Sequence, residues 1–508
     1  MHDPRTKFGW LVAAVLAATA PANAQPQPAE INVVIQAEPT DLDPCTIGHP
    51  VTGFVSGQNI IETLTTLDPD TGEVKPRLAT YWEQLASGAW RLELREGVKF
   101  HDGTDFNAEA VAAAIRRLAN SELVCSGALI KLDKFDIATE IVDENTIDII
   151  ADKAPLPIPA YVAHVGIGGL TTPDKEIDRD PVGTGPYSFQ SWEAGTSIVL
   201  SRFDGYWGDK PEVEKVTFLF RKEPRLRAAM VEVGEADLAV HIAPQDATNP
   251  AMDFSYPNRE TTRIRMVLQP PLDDIRVRKA LNLAFDREAL IGTILSDAVE
   301  PASQLMSKEV NGYNPDLALW SYDLEEAKRL IEEAKADGVP VDKELRLIGH
   351  PTFYPNVGEV LQAMAQMWND AGLNVRVEMM ERAQWKKLVN KPYDADRAAM
   401  LIQEMHDNTE GDAVFTMRFR YHTDGGQSEF SNPVVDKLVV EAEQAEGDER
   451  RDKFREANRI IADEIVPAVP MYHMVNYMRV GPRLSFRPGG FYSAGMLEVS
   501  RIKFSATQ

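Results

Sequence analysis

The chain has 508 residues, 44% of them hydrophobic and 26% charged, and a formal net charge of −25 at pH 7. One hydrophobic core rarely supports such a length, so we expect two or three domains of an ordinary globular kind. The strong negative charge argues against nucleic acid or an anionic membrane as the main partner, because both would repel an acidic surface.

The first 24 residues form a segment of their own. Arg5 and Lys7 precede an apolar run, FGWLVAAVLAATA, and the motif ANA at 22–24 provides the small-x-small pattern of a cleavage site. This order is typical of a secretory signal peptide, and the run is too short to span a bilayer. We therefore expect a soluble periplasmic protein. No cysteine lies at the cleavage point, so we expect no lipid anchor.

The next elements predict a mixed α/β region. A buried strand, INVVIQ (Ile31–Gln36), ends at a proline-rich turn, and WRLELREGVKF (Trp90–Phe100) alternates in the manner of a strand. A helix follows with Asn107 as its expected N-cap. Two short strands around a polar turn are expected over residues 138–151.

Cys45 and Cys125 are the only cysteines of the chain. An even pair in an oxidising compartment is a plausible disulfide, and a bridge closing about 80 residues stabilises by roughly 4 kcal/mol in the chain-entropy model. Two buried free thiols are the alternative.

The stretch DPVGTGPYSFQSW, at 180–192, raises the possibility of a phosphate-binding loop. Such a loop needs a glycine-rich turn between a strand and a helix, whose N-terminal amides hold the phosphate. Here Gly185 is followed by Pro186, by a strand pattern and by no Lys-Ser/Thr pair. The sequence therefore predicts a tight turn that enters a hairpin, with TSIVLSRF (Thr196–Phe203) as its second strand.

The second half alternates helices and strands. A helix with Val277 and Leu281 on one face follows Asp273, and Asp323 with Glu326 forms a capping box before LEEAKRLIEEAKADG. The succession ELRLIG, GEVLQAMAQMWNDAG and LNVRVEMM predicts a strand–helix–strand unit. Two charged helices over 433–445 and 448–465 and a strand, PAVPMYHMVNYMRV, come last.

Catalytic and metal signatures are not visible in the sequence. The nine histidines show no His-x-x-x-His or His-Glu-x-x-His spacing, two cysteines cannot build a zinc framework, and Gly-x-Ser-x-Gly does not occur. We therefore expect neither an enzyme nor a cofactor or metal.

Five segments together resemble the peptide/opine/nickel class of periplasmic solute-binding proteins, family 5 of the receptors that serve ABC transporters. They are, in chain order, NIIETLTTLDPDTGEVKPRLATYWEQLASGAWRLELREGVKFHDGTDFNAEAVAAAIRRL, DPVGTGPYSFQSW with SRFDGYWGDKP, IRVRKALNLAFDREALI, YPNVGEVLQAMAQMWNDAGLNVRVE and FSNPVVDKLVVEAEQA. The likeness covers nearly the whole mature chain.

The resemblance implies an α/β fold of two lobes, the periplasmic binding protein fold of type II, with an extra α/β domain inserted in the first lobe. It implies a discontinuous first lobe over 25–49, 182–262 and 481–508, an inserted domain over 50–181, and a second lobe over 263–480. It also implies a monomeric receptor that closes on a small peptide or peptide-like solute and delivers it to membrane permease subunits.

The resemblance further suggests where the solute binds. Dipeptide and oligopeptide receptors place an acidic residue against the ligand's amino group, and Asp407 matches that position in LIQEMHDNTEGD, with a loop carboxylate on the surface or at a helix start as the alternative. His406 and Trp385 are candidate neighbours, with a structural hydrogen bond and core packing as their respective alternatives. The usual tryptophan before this loop is replaced by EMH, and the usual arginine near YPN is missing, which puts a standard dipeptide in doubt.

Three further residues complete the predicted site. Arg418, or else Arg420, is a candidate anion contact, with an ordinary surface charge as the alternative. Tyr354 belongs to the YPN run, and Thr46 lies where the two lobes of the family meet. The open functional alternatives are a receptor for a metal chelate of the nickel type and an exported hydrolase.

Overall fold

The structure is a computed structural model. It describes residues 29–68, 73–118, 136–151, 154, 156–173, 176–351, 353–394, 396–408, 411–489 and 497–506. The predicted signal peptide and Cys125 lie outside these residues. Within the described ranges, no helix has both the length and the apolar character needed to cross a membrane.

The chain begins with one strand and continues into a region of short elements. Up to residue 167 these are β1 (Glu30–Ile35), α1 (Pro50–Val55), β2 (Glu62–Thr63), β3 (Thr65–Leu67), β4 (Val74–Pro76), β5 (Ala79–Gln84), β6 (Trp90–Leu94), α2 (Ala108–Leu118), β7 (Ile137–Asp143), β8 (Thr146–Ala151), α3 (Ile158–Tyr161) and β9 (Gly166–Ile167). Strands β5, β6, β8 and β7 form an antiparallel sheet in that order. The Asn107 side chain caps α2 as predicted, because its oxygen accepts from the backbone N–H of Glu109 and of Ala110.

The remaining elements build most of the large sheet and its covering helices. They are β10 (Tyr187–Glu193), β11 (Ser197–Arg202), β12 (Lys215–Phe220), α4 (Pro224–Glu232), β13 (Leu238–Ile242), β14 (Asp253–Met266), α5 (Ile275–Leu283), β15 (Glu300–Pro301), α6 (Leu324–Ala336), β16 (Leu345–Gly349), α7 (Val357–Asp370), β17 (Val375–Met379), α8 (Arg382–Val389), β18 (Met400–Asp407), α9 (Pro433–Glu443), α10 (Gly447–Arg459), β19 (Ala468–Val480), β20 (Leu484–Ser485) and β21 (Lys503–Phe504). The strand–helix–strand unit predicted from the sequence is confirmed as β16, α7 and β17, with β16 and β17 parallel.

One sheet of 11 strands runs through the whole protein. Its order is β10-β11-β12-β1-β13-β19-β14-β18-β16-β17, and β15 pairs with β19. By the predicted bounds, β10, β11, β12, β1 and β13 fall in the first lobe, and β18, β16 and β17 fall in the second. The long strands β14 and β19 pair with each other in the middle and take part in both lobes. The predicted lobe boundaries, at 262/263 and 480/481, lie within β14 and at the end of β19, and they stay predictions.

The stretch GTG is a turn that packs tightly against the first lobe. The backbone N–H of Gly185 donates to the carbonyl of Ile60, and β10 and β11 then form the predicted antiparallel hairpin. A Cβ on Gly183 would lie 1.9 Å from the Ile60 carbonyl oxygen, and one on Gly185 would lie 2.3 Å from that of Asn59. Both glycines are therefore required by the close approach of two backbones, not by a bound phosphate.

The apolar core falls into clusters that follow the lobes. One cluster joins β1, β11, β12 and β13 in the first lobe, and another joins β14, β16, α5, α6 and α7 in the second. A third continues from the inserted region into the second lobe, from Leu92 and Phe100 to Val310, Ala413 and Phe454. The region predicted as the inserted domain therefore packs against part of the predicted second lobe.

Candidate functional site

The two strands that join the lobes are irregular at one level. The pairing of β14 with β19 shifts between Pro257 and Thr261 and again between Thr261 and Arg263. Arg259 lies between these points and has a φ of +55°, in the left-handed region that non-glycine residues seldom adopt. Such an interruption turns side chains of a strand away from the regular ladder, and it is common next to functional sites.

Two carboxylates face each other directly beside this irregularity. Glu260 of β14 is the register partner of Asp407 at the end of β18. Opposite residues of an antiparallel pair have Cβ atoms about 5 Å apart, and like charges placed there repel each other. Asp407 is exposed, whereas Glu260 is partly buried and accepts a hydrogen bond of 3.2 Å from the Asn258 side-chain amide.

The protonation of Glu260 reflects this position. Burial raises the pKa of the Glu260 carboxyl, the charge of Asp407 raises it further, and together they bring it to about 8. The raised pKa favours the protonated form of this carboxyl near neutral pH. A cation brought next to it would favour the ionised form, because an opposite charge lowers the pKa of a carboxylic acid.

Glu260 opens into a cavity of about 340 Å³ at the junction of the lobes. The wall combines strand residues from β14 and β19 with the segment around β15, and it carries both acidic and basic side chains. The charged and histidine side chains of this wall are those of Arg259, Glu260, Glu300, Lys308, Glu309 and His473.

A buried hydroxyl lies in the same wall. The side chain of Ser307 is 8% exposed, and among the described residues its Oγ has no hydrogen-bond partner. A buried hydroxyl without a partner costs free energy, and a polar group of a bound molecule can supply the partner. Ser307 is therefore a candidate contact for a polar ligand.

A second cavity of about 520 Å³ lies between the inserted region and the second lobe. Trp82 and Trp90 line it on one side, and the segment before α10 lines it on the other. It shares Lys308, Glu309 and Tyr313 with the first cavity. The two cavities therefore follow one another along the cleft, and together they provide room for more than a single amino acid.

The opposite face of β14 and β18 carries a buried network of opposite charges. Glu404 lies 2.7 Å from Arg263, 3.4 Å from Arg265 and 3.1 Å from Arg420. Burial by itself would raise the pKa of Glu404, but the three guanidinium groups outweigh it and lower the pKa to about 2. The carboxylate stays ionised and binds three arginines within the second lobe.

Asp407 is exposed at the end of β18, opposite Glu260, and its role as a ligand contact stays a prediction, whereas His406 lies on the other face of that strand. His406 is fully buried and stacks on Phe415. Its Nε2 bonds the Thr416 hydroxyl at 2.6 Å, and its Nδ1 accepts from Arg420 at 3.2 Å. Burial lowers the pKa of His406 well below its usual value, so the ring is neutral.

The other predicted site residues lie away from the two carboxylates. Trp385 packs edge-to-face on Phe353 and donates to the carbonyl of Gln403, and Tyr354 is buried in the core of the second lobe. Arg418 is partly exposed, 3.6 Å from Glu443. Their roles as ligand contacts, like that of His406, stay predictions.

Thr46 and Cys45 lie in the buried loop after β1. The Thr46 hydroxyl donates to Asp41 and contacts the carbonyl of Asp43 at 3.0 Å, and its role at the cleft stays a prediction. Cys45 is disulfide-bonded. The chain contains one other cysteine, Cys125, outside the described residues, and their pairing stays a prediction.

Sequence reasoning did not identify Glu260 or Ser307. Glu260 is 147 positions from Asp407 in the chain, and only the register of two paired strands brings them together. The strand-like run ETTRIRM could have suggested that Glu260 begins a strand next to the predicted lobe boundary. Nothing in the local sequence around Ser307 indicates a buried hydroxyl in a cavity wall.

Comparison with known proteins shows to which family the chain belongs. The family model described as bacterial extracellular solute-binding proteins, family 5 Middle, matches residues 73–426. The dipeptide-binding protein of Escherichia coli is 25% identical over 476 residues, which cover 86% of this chain and 88% of that protein. The glutathione-binding protein GsiB of Salmonella typhi is 27% identical over 485 residues, which cover 91% and 92%.

A solved structure extends the likeness to the complete fold. The ABC transporter substrate-binding protein CtaP from Listeria monocytogenes superposes with a TM-score of 0.81 at 20% identity, over 94% of this chain and 99% of that one. This confirms the two-lobed α/β fold predicted from the sequence. Because the family model spans more than half of the chain, this protein belongs to the bacterial extracellular solute-binding proteins of family 5.

Proposed function

We propose that this protein is the periplasmic receptor of an ABC importer and captures a small peptide or an amine-bearing, peptide-like solute. It closes its two lobes on the solute and then presents it to the permease subunits in the membrane. The signal peptide predicted from the sequence supports the location, and the family supports the receptor role. The dipeptide- and glutathione-binding relatives support the class of solute.

The observation that carries the solute class is the register pair Glu260 and Asp407, of which Glu260 lines the cavity beside β14 and β19. Two carboxylates directed to one place favour a positively charged group, since an ammonium relieves their repulsion and donates up to three hydrogen bonds. We assign the solute's amino group to Asp407. Lys308 and Arg259 in the same wall provide positive charge for a carboxylate of a zwitterionic solute.

The proposed mechanism is closure of the two lobes on the solute. A solute that contacts β14 of the hinge and the second lobe at once stabilises the closed state by its differential contacts. The apolar cluster shared by the inserted region and the second lobe forms only when they meet, so closure also buries apolar surface. The permease then distinguishes loaded from empty receptor by shape.

A binding screen tests the proposal. The mature chain, freed of bound solute by unfolding and refolding, is titrated calorimetrically with trialanine, glutathione, N-acetyl-trialanine and a nickel–histidine complex. We expect trialanine or glutathione to bind at micromolar concentration or below, and N-acetyl-trialanine, which has no ammonium, to bind far more weakly.

Two results would overturn the assignment. Binding of the nickel complex with no response to either peptide would favour a metal-chelate receptor. Turnover of a bound peptide, detected by mass spectrometry, would favour a hydrolase. Among the described residues, no group of three or more histidine, cysteine, aspartate or glutamate side chains is arranged to hold a metal ion.

A further inference from the structure

The buried network around Glu404 contains more positive than negative charge. Four arginines and two glutamates belong to it, and each of these side chains is at most 9% exposed: Arg263, Arg265, Arg397, Arg420, Glu404 and Glu429. Glu404 contacts three of the arginines, and Glu429 lies 3.4 Å from Arg265 and 2.9 Å from Arg397. Among the described residues, no further carboxylate forms an ion pair with these arginines. Two carboxylates therefore face four guanidinium groups.

The arginine that contacts both glutamates has donors without acceptors. Arg265 Nη1 donates to the carbonyls of Val389 and Gln427 and to the Tyr393 hydroxyl. Within the described ranges, Arg265 Nη2 has no hydrogen-bond partner, and Nε lies 3.4 Å from one oxygen of each glutamate without a hydrogen bond. The side chain is only 2% exposed, and buried polar groups of native proteins are nearly always hydrogen-bonded.

A second arginine of the network has an unpartnered donor as well. Arg397 Nη1 donates to Glu429 at 2.9 Å, Nη2 donates to the carbonyl of Leu388, and the guanidinium lies 4.0 Å from the centre of the Tyr393 ring. Its Nε is buried and has no hydrogen-bond partner in the described part of the chain. Arg265 and Arg397 both contact Glu429 and Tyr393, so their unpartnered donors belong to one part of the network.

An anion suits these donors better than a water molecule does. Water accepts hydrogen bonds but leaves the excess of positive charge buried, which is costly. An anion supplies both the acceptor and the counter-charge, and guanidinium groups bind anions through charge-assisted hydrogen bonds. The excess also affects Arg420, because burial lowers its pKa to about 10 and the charges of Arg263 and Arg265 act in the same direction, against Glu404.

We propose that this network binds one small inorganic anion of the halide class, held by the unpartnered N–H groups of Arg265 and Arg397. The anion is small because every member of the network is at least nine-tenths buried. Arg263 and Glu404 lie on the face of β14 and β18 opposite to Glu260, so the anion stabilises the fold and does not occupy the cavity that Glu260 lines. The inference does not depend on which solute the protein binds.

Thermal unfolding of the mature chain in two sodium salts tests the inference. The protein is dialysed free of halide and unfolded at pH 7 in sodium chloride or in sodium gluconate of equal ionic strength. Gluconate is too large for a buried site, so only chloride adds binding free energy to the folded state. We expect the unfolding midpoint to be about 2–5 °C higher in chloride at about 200 mM, and bromide should act in the same way. Equal midpoints in chloride and gluconate would overturn the proposal.

A pair of variants assigns the effect to the network. Arg265→Gln removes one guanidinium and should lose most of the difference between the two salts. Arg329→Gln, at a 52% exposed arginine on α6, should keep that difference in full. A folded Arg265→Gln protein with the full chloride effect would show that the anion binds elsewhere, and the proposal would be wrong.

Crystals of the unsubstituted protein grown in sodium bromide provide a test that needs no variant, and they decide the question if Arg265→Gln does not fold. We expect an anomalous bromide peak within hydrogen-bond contact of Arg265 Nη2. Bromide peaks confined to the protein surface would mean an adventitious ion only, and they would contradict the proposal.

Discussion

Strands β14 and β18 carry charged groups on both faces, and the two faces differ in the sign of the charges that lie next to each other. On one face Glu404 is fully buried among three arginines, at distances of 2.7–3.4 Å. On the other face Glu260 and Asp407 are opposed carboxylates, and Glu260 lines a cavity. Alternation along a strand places Arg263 and Glu260 on opposite sides of the sheet.

Burial raises the pKa of both carboxyls, but their charged neighbours shift it in opposite directions. The pKa of Glu404 is lowered to about 2 because three positive charges outweigh burial, and the pKa of Glu260 is raised to about 8 because burial and a negative neighbour act together. Charges that compensate each other hold the second lobe together. The Glu260 carboxyl, beside a second carboxylate, instead favours its protonated form.

The largest effect is expected from removing the buried carboxylate. Glu404→Gln leaves the guanidinium groups of Arg263, Arg265 and Arg420 without their counter-charge, so we expect a loss of about 3–5 kcal/mol in the free energy of unfolding. Urea unfolding at pH 7 measures it, and the matched exposed variant Glu325→Gln should change stability by less than about 0.5 kcal/mol.

The unsubstituted protein provides a second test of the same network. Folding lowers the pKa of Glu404 from its usual value of 4.5 to about 2. Its contribution to stability is therefore complete above about pH 4.5 and is lost as the pH falls toward 2. A thermal unfolding midpoint that stays constant over this acid range would contradict the assigned role.

A smaller effect, on binding and not on folding, is expected at the cleft. Asp407→Ala should weaken binding of trialanine by about 10–100-fold, because a hydrogen bond to a charged group contributes about 1.5–3 kcal/mol. The free energy of unfolding should stay the same or rise slightly, since a like charge is removed from beside Glu260. Unchanged calorimetric affinity would show that Asp407 does not contact the solute. A large loss of stability would show that Asp407 stabilises the fold, as Glu404 does.

The smallest effect is expected from Glu260 in the absence of solute. Its pKa is raised on folding, so the native state holds the proton more firmly and stability falls as pH rises from about 4.5 to 8. Glu260→Gln removes this fall and should be more stable than the unsubstituted protein at pH 8.5, by roughly 1–3 kcal/mol because the side chain keeps some contact with solvent. Near pH 5 the two proteins should differ little; parallel stability curves would show that Glu260 is not perturbed.

Local elements were largely predictable because their signals are local. The Asn107 cap, the capping residue Asp323 and the hairpin after Gly185 depend on neighbours a few positions away, and the structure contains all three. The residues of the predicted site were harder to place. His406 and Asp407 are adjacent in the chain, yet side chains alternate along β18. His406 therefore lies in the buried network, and Asp407 lies on the exposed face opposite Glu260.

The sequence by itself indicated the family, through five motifs in a recognisable order, and the resemblance in turn implied the two-lobed α/β fold; Asp407 as a ligand contact stays a prediction. The sequence also excluded a phosphate loop at GTG, since no helix follows. Only the tertiary structure decided that Glu260 faces Asp407, that Ser307 lines the same cavity and that Glu404 faces three arginines. The pairing of Glu260 with Asp407 and of Arg263 with Glu404 depends on strand register between segments more than a hundred residues apart, and no local pattern records which side chains a folded sheet brings together.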